Sequence, residues 1–285
     1  MSLQAFIFLF IAIICGVITK IIHKYILKNV EAYPYAFFGN LVSAAISLPL
    51  AAINFSFPKS GNAILFLGIA SILWAVLAVS AFIAYKKTDL SLREPVSQSR
   101  IIWTFILGIL LLGETATIFK TIATALIFLG ISLLIWHPER KWGRLTDPGI
   151  LWTLGSALLA SIVAIVDKAS LGYFNPEVYN FLVYLFPTIL LAVFLPKNIE
   201  GFKHLLRTKG WIAFAGTIIQ TASYYFTLKT FSVMDITLAY PLLQMVTLLT
   251  VIGGIIFLKE KEHFRQKILA TAVVVIGMIL LRIKF

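Results

Sequence analysis

Ten apolar runs dominate this 285-residue chain, each near the roughly 20 residues that a helix needs to cross a bilayer core of about 30 Å. They lie at 3–22, 33–55, 62–85, 91–112, 117–136, 149–166, 177–195, 210–230, 236–258 and 267–283. Hydrophobic residues make up 60% of the chain and its mean hydropathy is +0.96, which is too apolar for a soluble domain. The runs do not alternate as barrel strands would, and helices satisfy their own backbone in lipid. We therefore predict an all-α integral membrane protein with ten transmembrane helices.

Charge, cysteine and histidine usage exclude several classes of protein. The net charge of +12 comes from basic residues that flank apolar runs, a membrane-topology pattern, so we expect no nucleic-acid partner. A single cysteine, Cys15, and four histidines without ligand spacing predict no metal site. The chain carries no phosphate-binding loop and no hydrolase or zinc-protease motif. We expect no catalytic residue and no cofactor, so the protein is predicted not to be an enzyme.

The second half of the chain repeats the first. Five residues recur 146 positions later: Asp89, Pro95, Gln98, Gly108 and Glu114 return as Asp235, Pro241, Gln244, Gly254 and Glu260. The longest polar connection separates two five-helix halves, residues 1–140 and 145–285. Because each half has an odd number of helices, the second enters the membrane from the opposite side. Such inverted repeats are typical of secondary transporters.

These residues resemble the drug/metabolite transporter superfamily, specifically its ten-helix EamA-type permeases. The resemblance rests on Pro95, Gly113-Glu114 and Gly130 in the first half and on Pro241, Glu260 and Gly277 in the second. Lys259 departs from the pattern, which has glycine before Glu260. The resemblance implies two inverted five-helix repeats around a central cavity lined partly by helices four and nine. It also implies import or export of small molecules, often amino acids or related metabolites.

Arg100 is the most informative single residue. It lies about 13 Å into helix four at a rise of 1.5 Å per residue, and a charge at that depth marks a functional site by default. A guanidinium there suits an anionic group of a substrate, with Glu94 as an internal counter-ion, although Arg100 can instead reach an interface. Gln98 and Gln244 occupy equivalent places in the repeat and either contact substrate or bond two helices together.

Five aromatic residues complete the predicted pocket: Trp74, Trp103, Tyr184, Tyr224 and Tyr240. Residues of this kind are also common in helix packing and at lipid-facing positions, and both readings stay open.

Two acidic positions are read as structural. Asp167 and Lys168 close helix six and are predicted to form an interfacial pair. Glu114 ends helix four and is predicted to pair with Lys120.

Together these features predict a secondary permease that alternates access around a central cavity. The expected partners are an anionic or zwitterionic small molecule and membrane lipid, in a monomer or homodimer of the plasma membrane. A carrier of lipid-linked substrates and a non-transporting membrane scaffold are the alternatives. The excess of basic residues in odd-numbered connections places those connections in the cytoplasm and both termini outside, whereas the resemblance favours termini inside.

Overall fold

The computed structural model describes residues 3–27, 29–56, 58, 60–87, 96–135, 147–249 and 264–282, and these residues form helices and turns without a strand. In chain order the helices are α1 (Leu3–Ile26), α2 (Ala32–Ile53), α3 (Gly61–Lys87), α4 (Arg100–Leu112), α5 (Ile118–Ile135), α6 (Pro148–Ser170), α7 (Pro176–Ala192), α8 (Ile199–Val233), α9 (Ile236–Leu243) and α10 (Phe264–Arg282). The predicted all-α fold class is confirmed.

Within the described ranges, four helices are long and apolar enough to cross a bilayer by themselves, namely Leu3–His23, Ala32–Ile53, Gly61–Ala81 and Pro148–Ser170. A fifth candidate is the pair formed by Pro176–Ala192 and Leu195–Val233, which bends by 77° at its break. Large apolar side chains such as Phe6 and Phe10 on α1 point outward and are exposed. An exposed apolar surface of this kind suits contact with lipid tails.

Helix α8 corrects a predicted boundary. The apolar runs predict a connection at 196–209, but α8 begins at Ile199 and is 35 residues long. Its polar first turns fold because one face is apolar: Leu205 is fully buried in a cluster with Ile26 and Phe38. At 1.5 Å per residue α8 measures about 52 Å, so its basic beginning extends past a bilayer core of about 30 Å.

The chain divides into two compact units, and each takes segments from both halves of the sequence. The first unit comprises residues 2–82 and 166–233, and the second comprises residues 83–165 and 234–285. The units therefore do not follow the boundary between 1–140 and 145–285. That division describes the sequence repeat and stays a prediction.

Close helix crossing holds the second unit together. A Cβ added at Gly130 of α5 would lie 2.6 Å from Val274 Cγ2 and 3.0 Å from the Ala270 carbonyl oxygen on α10. Reciprocally, a Cβ at Gly277 would lie 2.9 Å from a side-chain carbon of Ile127 on α5. Small residues at a crossing let helix backbones approach in a membrane. The repeat-related glycines thus make a symmetric contact.

The first unit contains apolar clusters and buried polar bonds between its helices. One cluster packs Leu67 and Ala70 of α3 against Val178 and Leu182 of α7 and Leu228 of α8. Within the same unit, Asn180 donates to Ser47 at 2.7 Å. Thr221 donates to Ser43 at 2.8 Å. Both bonds join buried polar groups on different helices, as expected in lipid.

Candidate functional site

Two repeat-related glutamines stand at irregular points of the helical backbone in the second unit. Before α4, the amide of Ile101 bonds the carbonyl of Gln98 at 3.0 Å, three residues back. At the end of α9, the amide of Gln244 is shared between the carbonyls of Tyr240 at 3.3 Å and Pro241 at 3.2 Å, and the amide of Thr247 bonds the carbonyl of Gln244 at 2.9 Å, three residues back. Tightened turns of this kind interrupt the regular ladder of an α-helix. Pro241 lies inside α9, three residues before Gln244, whereas Pro95 lies outside the described residues.

Arg100 meets one of these glutamines directly. Its Nη2 donates to Gln244 Oε1 at 2.7 Å, which joins helix four of one half to helix nine of the other. Gln98 and Gln244 are both buried, and Gln98 Nε2 lies 3.5 Å from Thr247 Oγ1, at the long limit of a hydrogen bond. The structure therefore brings together three of the residues predicted from the sequence.

Several polar atoms of this cluster are buried without a hydrogen-bond partner in the described part of the chain. They are Gln98 Oε1, Ser99 Oγ, Arg100 Nε and Thr104 Oγ1. A buried polar atom without a protein partner is costly, so a group of such atoms is typical of a place where a polar ligand binds. A guanidinium binds a carboxylate through two parallel N–H donors. The cluster has the donors and acceptors to hold a small polar molecule.

The other predicted residues of this unit have different settings. Trp103 is 39% exposed, which fits a surface position, while Tyr240 on α9 is buried. Glu94, the expected counter-ion of Arg100, lies outside the described residues, as does Glu260.

Glu114 does not pair with Lys120, which corrects the predicted ion pair. Its two carboxylate oxygens accept the backbone N–H groups of Ile236 at 2.6 Å and Thr237 at 2.8 Å, and so it caps the beginning of α9. Lys120 pairs instead with Asp235 at 3.0 Å. A carboxylate is favoured at a helix N-terminus because unbonded N–H groups and the positive end of the helix dipole meet there.

Trp74 and Tyr224 belong to the first unit, where both contact Asp167. The Asp167 carboxylate accepts from Trp74 Nε1 at 3.2 Å, from Tyr179 Oη at 2.7 Å and from Tyr224 Oη at 2.9 Å. Asp167 is only 2% exposed. The described residues give this buried carboxylate neutral donors alone.

This arrangement corrects the predicted interfacial pair of Asp167 and Lys168. The two side chains diverge, and the Lys168 ammonium donates to the backbone carbonyl of Phe231. Adjacent residues on a helix point about 100° apart, so an ion pair between them is unfavourable. The sequence could have shown that Asp167 and Lys168 lie on different faces of their helix. The three donors to Asp167 come from α3, α7 and α8, and no local sequence pattern predicts them.

Comparison with known proteins bears on the whole chain. The sequence profile of the EamA-like transporter family matches two consecutive segments, residues 3–136 and 147–283. No curated protein matches the chain. One solved crystal structure superposes with a TM-score of 0.78 over 98% of this chain and 96% of its own, at 15% sequence identity. At that identity the likeness concerns the fold alone.

Proposed function

The chain belongs to the EamA-like transporter family, and on that premise we propose that it is a secondary transporter of small metabolites such as amino acids or related compounds. The membership confirms the resemblance predicted from Pro95, Glu114 and Gly130. It identifies a membrane protein of a transporter family, in agreement with the apolar helices of the structure. The observation that carries the proposal is the match of the family profile to both halves of the chain.

The Arg100 cluster supports the proposal because it supplies what a passing metabolite needs. Its guanidinium shares one donor with Gln244 and keeps a buried Nε without a partner among the described residues. Neutral amides at Gln98 and Gln244 add donors and acceptors without a second fixed charge. Such a site binds a carboxylate yet lets it leave, because few groups hold it.

Alternating access would follow from the repeat. In inverted-repeat transporters the substrate binds near the bilayer midplane, where interrupted helices from the two repeats supply backbone and side-chain groups. The irregular turns at Gln98 and Gln244, one in each repeat, support this part of the proposal. We further propose that the protein acts in the plasma membrane.

Flux into proteoliposomes tests the proposal. The wild-type protein should accumulate at least one member of a panel of labelled amino acids and related carboxylates. Arg100→Gln should reduce that uptake, because the amide removes the positive charge. The matched control Arg207→Gln, at an exposed position of α8, should leave it unchanged. Folded wild-type protein without flux for any compound would refute transport of these metabolites.

A further inference from the structure

Asp167 is a membrane-helix charge to which the described residues supply no countercharge. Its neighbours Trp74, Tyr179 and Tyr224 donate hydrogen bonds but carry no charge. The nearby acid Glu177 differs, since Lys229 pairs with it at 2.6 Å. A buried carboxylate is strongly favoured by a positive partner.

The position of Asp167 in its helix further favours a positively charged partner. It lies in the last turn of α6, which ends at Ser170, where the negative end of the helix dipole favours cations. Among the described residues, one acceptor position of the carboxylate has no donor, because Oδ1 accepts from Trp74 and Tyr179 while Oδ2 accepts from Tyr224 alone. A carboxylate offers about four acceptor positions.

Aromatic rings surround the carboxylate and supply further attraction for a cation. The Trp74 and Tyr224 rings meet edge to face with centroids 5.1 Å apart, and Tyr184 and Tyr224 do so at 5.5 Å. Trp74 and Tyr224 remain partly accessible, whereas Tyr179 and Tyr184 are buried. Ring faces attract organic ammonium groups, and the two partly accessible residues, Trp74 and Tyr224, both bond the Asp167 carboxylate.

We propose that Asp167, with Trp74, Tyr224 and Tyr184, binds the ammonium group of an amine substrate. The proposal rests on the proposed function and narrows its substrate class to metabolites that bear a protonated amine. Asp167 supplies the charge, Tyr179 and Tyr224 hold the carboxylate in place, and the rings contact the carbon atoms next to the nitrogen. An uncharged analogue of the same shape lacks the main interaction.

The test compares two nearly isosteric probes, phenethylammonium and 2-phenylethanol. Each is titrated calorimetrically into the full-length protein in lipid nanodiscs, and empty nanodiscs provide the correction for partitioning. Wild-type protein should bind the ammonium about tenfold or more tightly than the alcohol, as expected for a hydrogen bond between charged groups. Asp167→Asn should abolish that preference. Asp147→Asn, the same change at an exposed position before the same helix, should preserve it.

A second variant covers the case in which Asp167→Asn does not fold. Trp74→Leu removes a ring and should weaken ammonium binding several-fold without affecting the alcohol equally. Wild-type protein without a preference, or an Asp167→Asn variant that keeps it, would overturn the proposal. Flux of carboxylates without ammonium preference would refute this inference alone, whereas ammonium binding without any flux would refute only the proposed function.

Discussion

The first unit surrounds a carboxylate with three neutral donors, whereas the second unit gives a guanidinium a single amide among its described partners. Asp167 is bonded by Trp74, Tyr179 and Tyr224. Arg100 is bonded by Gln244 and has a buried Nε without a partner in the described segments. Within those segments, the carboxylate has three hydrogen-bond donors and the guanidinium has one acceptor.

The difference follows from the surrounding helices. The donors to Asp167 come from regular stretches of α3, α7 and α8, whose packing fixes the side chains. Arg100 and Gln244 stand where the helical backbone is interrupted, so their partners are set by a less regular chain. A preorganised site favours selectivity, whereas a loosely bonded one can change partners at little cost.

The largest expected effect is a double dissociation between the two charges. Arg100→Gln should weaken binding of phenylacetate about tenfold or more and leave phenethylammonium unaffected. Asp167→Asn should do the reverse, because each variant removes one charge. Calorimetry on the two variants in nanodiscs measures both affinities. Equal loss of both probes in both variants would show that the units do not differ in this way.

Glycine substitutions should separate the packing of the two units. Gly130→Ala places a methyl group against Val274 and the backbone of Ala270, and we expect a loss of about 1–3 kcal/mol. Gly216→Ala of the first unit meets only the side chain of Ile22, which can move, so its loss should be smaller. Thermal unfolding followed by intrinsic fluorescence measures which of the two variants loses more stability. Gly155→Ala, with open space around it, is the control and should not lower stability.

Helix caps should produce intermediate effects. Asn175 caps its own helix, α7, by accepting from the amide of Val178 at 2.9 Å, and Asn175→Ala should cost about 1 kcal/mol. Glu114 caps α9 from a different helix, and Glu114→Gln should cost about as much, because an amide replaces one acceptor oxygen by a donor. The apparent unfolding temperatures of both variants are measured. An unchanged value for either variant would show that its side chain does not stabilise the helix as a cap.

The smallest expected effect is a difference in stability between loss of an exposed ion pair and loss of a partly buried one, both in the first unit. Glu200 and Lys203 lie 2.9 Å apart at 82% and 51% exposure, so Glu200→Gln should change stability by less than about 0.5 kcal/mol. Glu177 and Lys229 are 11% and 25% exposed, and Glu177→Gln should cost more since it leaves the partly buried ammonium of Lys229 without its ion-pair partner. The two melting curves decide the comparison, which fails if the surface variant is the less stable one.

Much of the fold was predictable because it depends on local composition. Apolar runs at least as long as a bilayer core is thick can only be helices in lipid, and α1, α2, α3 and α6 begin and end within a few residues of the predicted bounds. The exception is the beginning of α8, where charged residues conceal an apolar face that only packing against α1 and α2 reveals.

The candidate site was predictable in part. The repeat identified Gln98 and Gln244, and depth in the helix identified Arg100, since spacing along one helix is a local property. Asp167 was misread because its donors Tyr179, Trp74 and Tyr224 are 12, 93 and 57 residues away in the chain.

The sequence by itself determined that this chain is a membrane protein of duplicated helices within a transporter family, because hydrophobic length and self-similarity are written along the chain. The tertiary structure alone decided that compact units combine both halves, that Glu114 caps a distant helix, and that Asp167 is enclosed by aromatic donors. Such contacts depend on which helix faces meet in space, and residue spacing along the chain does not encode that choice locally.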